Sequence, residues 1–314
     1  MIASFSCMKI YIEKLMDPHE AAVYSVSGEA VGVNGWDGID AAALTRYEAE
    51  GFLLVRGAVP RALVDEAVRE LQEMREADDP GCQTIYFEGL IREKLGLPAF
   101  APDLPDTPHF GQLAMSEAVD SLAELPRQAR SELVRKFMGF VDSHPPLAAV
   151  AMHPPLVQTV ERIVGSRPRL FQDMAMIKPP GGREKPWHQD HAYFNLPLDT
   201  PVVAVWVALS DVTVDNGCMH VIPGGHRDGP RVHFMRRDWQ ICDTDVVLEP
   251  RQAVPMAVGD LMLFDGKLPH GTPTNRTDGQ RWALQLHYVP RDASEVGESV
   301  RLASFGSDGK EVSC

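Results

Sequence analysis

Two histidines and an aspartate carry the first chemical signal in this 314-residue chain. In the segment KPWHQDHAYFN, His188 and Asp190 stand two positions apart, and in an extended strand residues i and i+2 face the same side. Both side chains can therefore reach one metal ion. A third donor has to come from a distant strand. His270 suits that part, because it follows the apolar run LMLFD and precedes a turn at Gly271. Two imidazoles and one carboxylate take one face of a metal and leave three positions open, the donor set of iron(II) sites that must admit both a cosubstrate and dioxygen.

Arg281 strengthens that reading. It lies eleven residues past His270 and opens the run RWALQLHYV. A guanidinium presents a fixed fork of donors that matches a carboxylate. If Arg281 faces inward, the two-residue period of a strand turns Ala283, Gln285 and His287 inward and Trp282, Leu284 and Leu286 outward. An arginine facing a barrel interior needs an anion there, and a dicarboxylate cosubstrate supplies one.

These residues need a rigid frame. After Gly165, β-branched and aromatic runs alternate with turn signals: LFQDMAMIKPPGG, VVAVWVALS, CMHVIPGG, LMLFDGK and RWALQLHYV. Short strands at this spacing predict a barrel or sandwich. Upstream the pattern is helical. Asp40 caps a helix through AAALTRYEAE that Gly51 ends, FLLVRG follows as a strand, and Pro60 opens a second helix with Leu63, Ala67, Leu71 and Met74 at helical spacing. Further helices are expected at 127–142 and 154–164. Residues 80–125 are irregular and rich in proline, and read as part of a lid or a surface insertion. Residues 1–40 show no sustained period and read as an extension. The expected organisation is one domain over 41–292, with a helical front half (41–166) and a barrel core (167–292), followed by a tail over 293–314.

Composition narrows the partners. Forty-four acidic residues against 30 Lys and Arg give a net charge of −14, which disfavours nucleic acid and anionic membrane surfaces. The longest apolar run, 202–209, is far below the ~20 residues that span a bilayer. The N-terminal stretch carries Lys9, Glu13 and Lys14 where a signal peptide needs an apolar core. Five scattered cysteines form no C-x-x-C pair and read as reduced thiols. A soluble, cytoplasmic protein is expected.

WHQD, the strand containing Trp206, DNGCMHVIPGGHRDG, GDLMLFDGKLPHGTPTN and GQRWAL, in this order and spacing, resemble the phytanoyl-CoA dioxygenase family of Fe(II)/2-oxoglutarate oxygenases. The resemblance covers about residues 45–290, is weaker over 80–145 and is lacking over the first forty. It implies a double-stranded β-helix, a jelly-roll barrel of the cupin kind, with flanking N-terminal helices. It implies iron ligation by His188, Asp190 and His270, and a salt link from Arg281 to the distal carboxylate of 2-oxoglutarate. Gln189, Trp206, Thr272 and Met174 match positions lining the cosubstrate pocket. The implied reaction consumes dioxygen and 2-oxoglutarate and hydroxylates an unactivated C–H of a small-molecule substrate, releasing succinate and CO2. Desaturation, cyclisation or epimerisation can follow from the same chemistry. Related halogenases have a small residue where this chain has Asp190, so halogenation is disfavoured.

Candidate substrate contacts are Gln83, Tyr86, Arg92, His191, Tyr193, Asn195 and His287. His226 reads as a structural loop residue, and Asn216-Gly217 as a turn. Two readings of another class stand beside the oxygenase: a non-redox cupin-like metalloprotein, and a non-catalytic binding protein on the same fold. Arg281 weighs against the first, which needs no dicarboxylate anchor; a binding protein is free to lose a ligand, and here all three candidate ligands and Arg281 are present.

Overall fold

Alternation along one strand decides which side chains meet. In the computed structural model, which describes residues 8–13, 21–98, 116–247 and 249–310, Arg281–Pro290 is a ten-residue strand near the middle of a large sheet. Its neighbours are Val203–Ala208 on one side and Pro168–Lys178 on the other, both antiparallel. Trp282, Leu284 and Leu286 join a core shared with the helices, whereas Ala283 joins a second core between two sheets. The inward and outward sets predicted for this strand are the ones observed.

The large sheet extends through Leu261–Asp265, Phe52–Arg56 and Val33–Asn34 at one end, and through Val134–Met138, Thr84–Phe87, Lys9–Glu13 and Ser116–Val119 at the other. A five-stranded sheet runs in the order Gly28–Glu29, Gln252–Val254, Met219–Val221, His270–Thr272 and Lys185–His188. Phe52, Trp206, Met262 and Phe264 of the large sheet pack against Met219, Val221 and Val254 of the small one. Helices Ala41–Glu50, Arg61–Glu76, Pro145–Ala151 and Pro154–Val164 cover the other face of the large sheet, so the layers run helix, sheet, sheet. No described helix is long and apolar enough to cross a membrane.

The helix signals act as expected. Asp40 accepts from the Ala43 N–H at 2.8 Å, and Gly51 ends that helix at φ 82°. A Cβ at Gly51 would come within 2.4 Å of His226 Nδ1, and His226 Nε2 sits 3.1 Å from the Glu48 carbonyl. His226 is thus a structural residue beneath the helix end, as its loop position implied.

Four expectations need correction. The helix expected over 127–142 stops at Leu133, and Val134–Met138 is a strand, because pairing with Thr84–Phe87 and Pro168–Lys178 overrides the local pattern. The boundary at residue 40 crosses continuous structure: Lys9–Glu13 and Val33–Asn34 pair into the large sheet and Gly28–Glu29 into the small one. The tail holds a helix, Glu298–Phe305, whose Phe305 is fully buried. Cys82 and Cys218 are free thiols, but Cys242 is disulfide-bonded. Within 80–125, residues 99–115 lie outside the described residues; the remainder supplies Thr84–Phe87, Ser116–Val119 and a short helix, Leu90–Lys94.

The C-terminal helix braces the turn that carries Asp190. Arg301 donates to the Ala192 carbonyl at 2.9 Å and to Asn195 Oδ1 at 2.9 Å, and the Phe305 ring stacks on His191. Phe305→Ala is expected to cost about 3–5 kcal/mol of stability. Urea unfolding followed by circular dichroism measures it, and a loss under about 1 kcal/mol would mean that the helix does not brace the turn.

Candidate active site

His188 ends the strand Lys185–His188, and His270 begins the strand beside it; the two are register partners. His188 Nδ1 lies 2.7 Å from the Pro186 carbonyl and His270 Nδ1 lies 2.9 Å from the Leu268 carbonyl. A carbonyl only accepts, so each Nδ1 carries the proton and each Nε2 presents a lone pair. Asp190 stands just past the strand, opening a 3-10 turn at Asp190–Tyr193. The intervening Gln189 keeps an extended backbone, so the i, i+2 relation survives the departure from the strand. Asp190 Oδ1 lies 3.4 Å from His188 Nε2 and 3.6 Å from His270 Nε2.

All three residues are buried, and their donor atoms lie within 4.8 Å of one another. Bonds of about 2 Å to a shared ion fit that spacing. Burial and the adjacent His188 push the His270 imidazole down to about 4, so it is neutral at pH 7 and free to ligate. Burial opposes the charge on Asp190, yet the His270 and His287 imidazoles beside it, with a hydrogen bond from His287, hold the carboxyl well below the usual carboxylate range. Two imidazoles and one carboxylate fit a divalent first-row metal.

The same cavity holds an excess of cations. Arg135, Lys136, Lys178, Lys185 and Arg281 all line it. Arg135 is matched by Glu13 at 2.7 Å and Glu88 at 2.9 Å, and Lys185 by Asp238 at 2.9 Å. Lys136 lies over the Tyr86 ring, 4.1 Å from its centroid. Lys178 and Arg281 differ. They are register partners on adjacent strands, both are buried, and neither forms an ion pair among the described residues. Arg281 donates to the Gly217 carbonyl at 2.7 Å and lies 5.0 Å from the centre of the Trp206 ring, but its Nε meets no acceptor among the described residues. Burial pushes Arg281 down to about 10; burial and the neighbouring Arg281 charge hold Lys178 well below the usual lysine range. Two buried like charges side by side are unfavourable until an anion joins them.

Lys178 is the residue that sequence reasoning missed. A single lysine at the end of LFQDMAMIK reads as a strand leaving the core for solvent, yet it shares the inward face of Met174 and Met176. It donates to Thr272 Oγ1 at 2.9 Å and to the Pro273 carbonyl at 2.5 Å. The Asn216-Gly217 turn also does more than turn, since it aims the Gly217 carbonyl at Arg281. A Cβ at Gly217, where φ is 83°, would come within 2.5 Å of the Pro273 carbonyl.

The cavity gathers Trp206, Thr272, Met174, Tyr193 and His287 with the three donors and Arg281. Other expected contacts lie elsewhere. Gln189 does not line it: its amide donates to the Gly229 and Lys267 carbonyls and accepts from the Arg231 N–H, which ties it into the loops on the opposite side. His191 faces Phe305 and the Pro197 carbonyl, and Asn195 is engaged by Arg301. Arg92 binds the Pro98 carbonyl and pairs with Glu117, and the Gln83 side chain packs against Gly139. Tyr86 stacks on Tyr11 and supports Lys136 from beneath without lining the cavity.

The family model described as phytanoyl-CoA dioxygenase (PhyH) matches residues 47–283. Rattus norvegicus peroxisomal phytanoyl-CoA dioxygenase is 32% identical over 280 residues, covering 85% of this chain and 72% of that protein. Among solved structures, the non-haem α-ketoglutarate-dependent carbocyclase SnoK from nogalamycin biosynthesis is similar with a TM-score of 0.57 at 20% identity, covering 90% of this chain and 97% of its own. The epimerase SnoN, solved with Fe3+, α-ketoglutarate and nogalamycin RO, gives a TM-score of 0.56 at 20% identity over 87% of this chain and 91% of its own. At such identities the likeness concerns the fold.

Proposed function

The chain belongs to the phytanoyl-CoA dioxygenase family and is an iron- and 2-oxoglutarate-dependent dioxygenase; from that premise we propose that His188, Asp190 and His270 hold its iron, and that Arg281 anchors the distal carboxylate of 2-oxoglutarate. One observation carries the residue assignment. The three-donor cluster and the unmatched pair of Arg281 and Lys178 share a single cavity, while Arg135 and Lys185 in its wall already have acids and Lys136 lies over the Tyr86 ring. A dicarboxylate lying between metal and pair answers both requirements.

Bound iron supplies the oxidation of a substrate C–H, coupled to conversion of 2-oxoglutarate and dioxygen into succinate and CO2. This chain's residues do the placing. His188 Nε2, His270 Nε2 and Asp190 Oδ1 lie close enough together to share one ion, and carbonyl bonds at Pro186 and Leu268 hold the two imidazoles. Because Lys178 donates to Thr272 Oγ1, the threonine hydroxyl is free to donate its own proton to the anchored carboxylate. Trp206 supports the Arg281 guanidinium 5.0 Å from its ring centre, and Met174 lines the same cavity. The reading is hydroxylation of a small molecule.

Strand connectivity supports a double-stranded β-helix. Between Pro168 and Pro290 the chain alternates between the two sheets, except that the segment from Met219–Val221 to Gln252–Val254 returns to the small sheet after forming a separate two-stranded pair, His233–Met235 with Trp239–Ile241. Anaerobic titration of the Fe(II)-loaded protein with 2-oxoglutarate tests the assignment. A visible metal-to-ligand charge-transfer band is expected in the wild type and not in His188→Ala. Bound iron without a band would favour the non-redox metalloprotein.

A further inference from the structure

Asp190 is treated differently at its two oxygens. Oδ1 faces His188 and His270, whereas Oδ2 lies 2.9 Å from His287 Nε2 and 3.1 Å from Gln285 Nε2. We propose that His287 and Gln285 are positioning residues that restrict Asp190 to binding the metal through one oxygen, Oδ1. The proposal rests on the reading of His188, Asp190 and His270 as metal ligands.

An ionised carboxylate offers acceptors only, so both nitrogens facing Oδ2 must carry protons, and they converge on the same oxygen. His287 then keeps its Nε2 proton and cannot itself offer that nitrogen to a metal. A carboxylate left to rotate can bind a cation through either one oxygen or two. Turning Asp190 to use both would break two hydrogen bonds to a charged acceptor in a buried site, where they are strongest. With Oδ2 engaged, the three positions opposite the donors stay open for cosubstrate and dioxygen.

The strand makes the clamp rigid. Gln285 and His287 are i and i+2 on the inward face of Arg281–Pro290, set by register against Trp206 and Ala204 on one side and Met174 and Gln172 on the other. Ala204 opposite His287 leaves room for the imidazole, and Phe194 presses its ring edgewise from 4.9 Å. One strand therefore carries the cosubstrate anchor at 281 and the carboxylate clamp at 285 and 287. Metal and cosubstrate positions are linked by four to six residues of hydrogen-bonded backbone.

Cobalt(II) serves as the probe, because its binding and d–d absorption are read without turnover. Calorimetry on intact protein is expected to show Co(II) affinity reduced ~10-fold in Gln285→Met and in His287→Phe, and ~100-fold in the double variant, the range for partners of metal ligands. Both substitutions keep the side-chain bulk, so loss of packing is not the cause. The d–d bands are expected to shift in each variant, and His287→Gln, which keeps an N–H donor, is expected to restore most of the affinity. Wild-type Co(II) affinity and spectrum in both Gln285→Met and His287→Phe would overturn the clamp alone. Wild-type affinity in Asp190→Ala would instead remove the ligand assignment and the clamp with it. Gln285→Met changes only one polar end group, so the test stands if the His287 variants fail to fold.

Discussion

His188→Ala and Asp190→Asn are each expected to lower 2-oxoglutarate turnover by ~10³-fold or more, since partners that merely support a metal ligand already cost 10–100-fold when lost. The fold should survive. His188 faces an existing cavity, so its removal enlarges open space rather than excavating packed core. Asp190→Asn keeps the shape of the side chain and one acceptor for Gln285 and His287. Succinate release measures the activity, and thermal melting of the metal-free proteins separates lost chemistry from lost structure. Wild-type turnover in either variant would disprove the iron-ligand assignment.

Arg281→Met is expected to raise the KM for 2-oxoglutarate ~10–100-fold with kcat at saturating cosubstrate little changed, because a charge-assisted hydrogen bond contributes about 1.5–3 kcal/mol. Its second consequence has the opposite sign. In the protein without cosubstrate, Arg281 is a buried cation beside another, matched by no acid among the described residues. Replacing it with an apolar side chain removes that penalty, so Tm should hold or rise. An arginine retained for packing on Trp206 would behave the other way, with Tm falling and KM unmoved. Initial rates against 2-oxoglutarate and a melting curve decide between them.

Much of this site is legible in the residues. His188 and Asp190 are read from a two-residue spacing, and Arg281, Gln285 and His287 from the same period extended along one strand. That period also turns Gln189 away from its neighbours, which is where it points; matching it to a family position set aside a sound local argument. Lys178 could not be read as buried, because its burial depends on Thr272 and Pro273, nearly a hundred residues on. Gly28–Glu29 and Val33–Asn34 are too short to show any period, and they exist because longer strands offer them an edge. The strand at Val134–Met138 was hidden for a related reason: its partners, not its own sequence, decide its conformation.

The brace from Glu298–Phe305 onto the Asp190 turn also bears on synthesis. Pro168–Lys178 leaves the ribosome more than a hundred residues before Arg281–Pro290, its partner, and Arg301 follows later still. Until then the nascent chain carries unpaired strands and an unsupported Asp190. Such long-range pairing folds slowly. The brace on the Asp190 turn therefore forms only after translation through Arg301, and a chain truncated near residue 290 would have the three donors and the anchor yet lack that support.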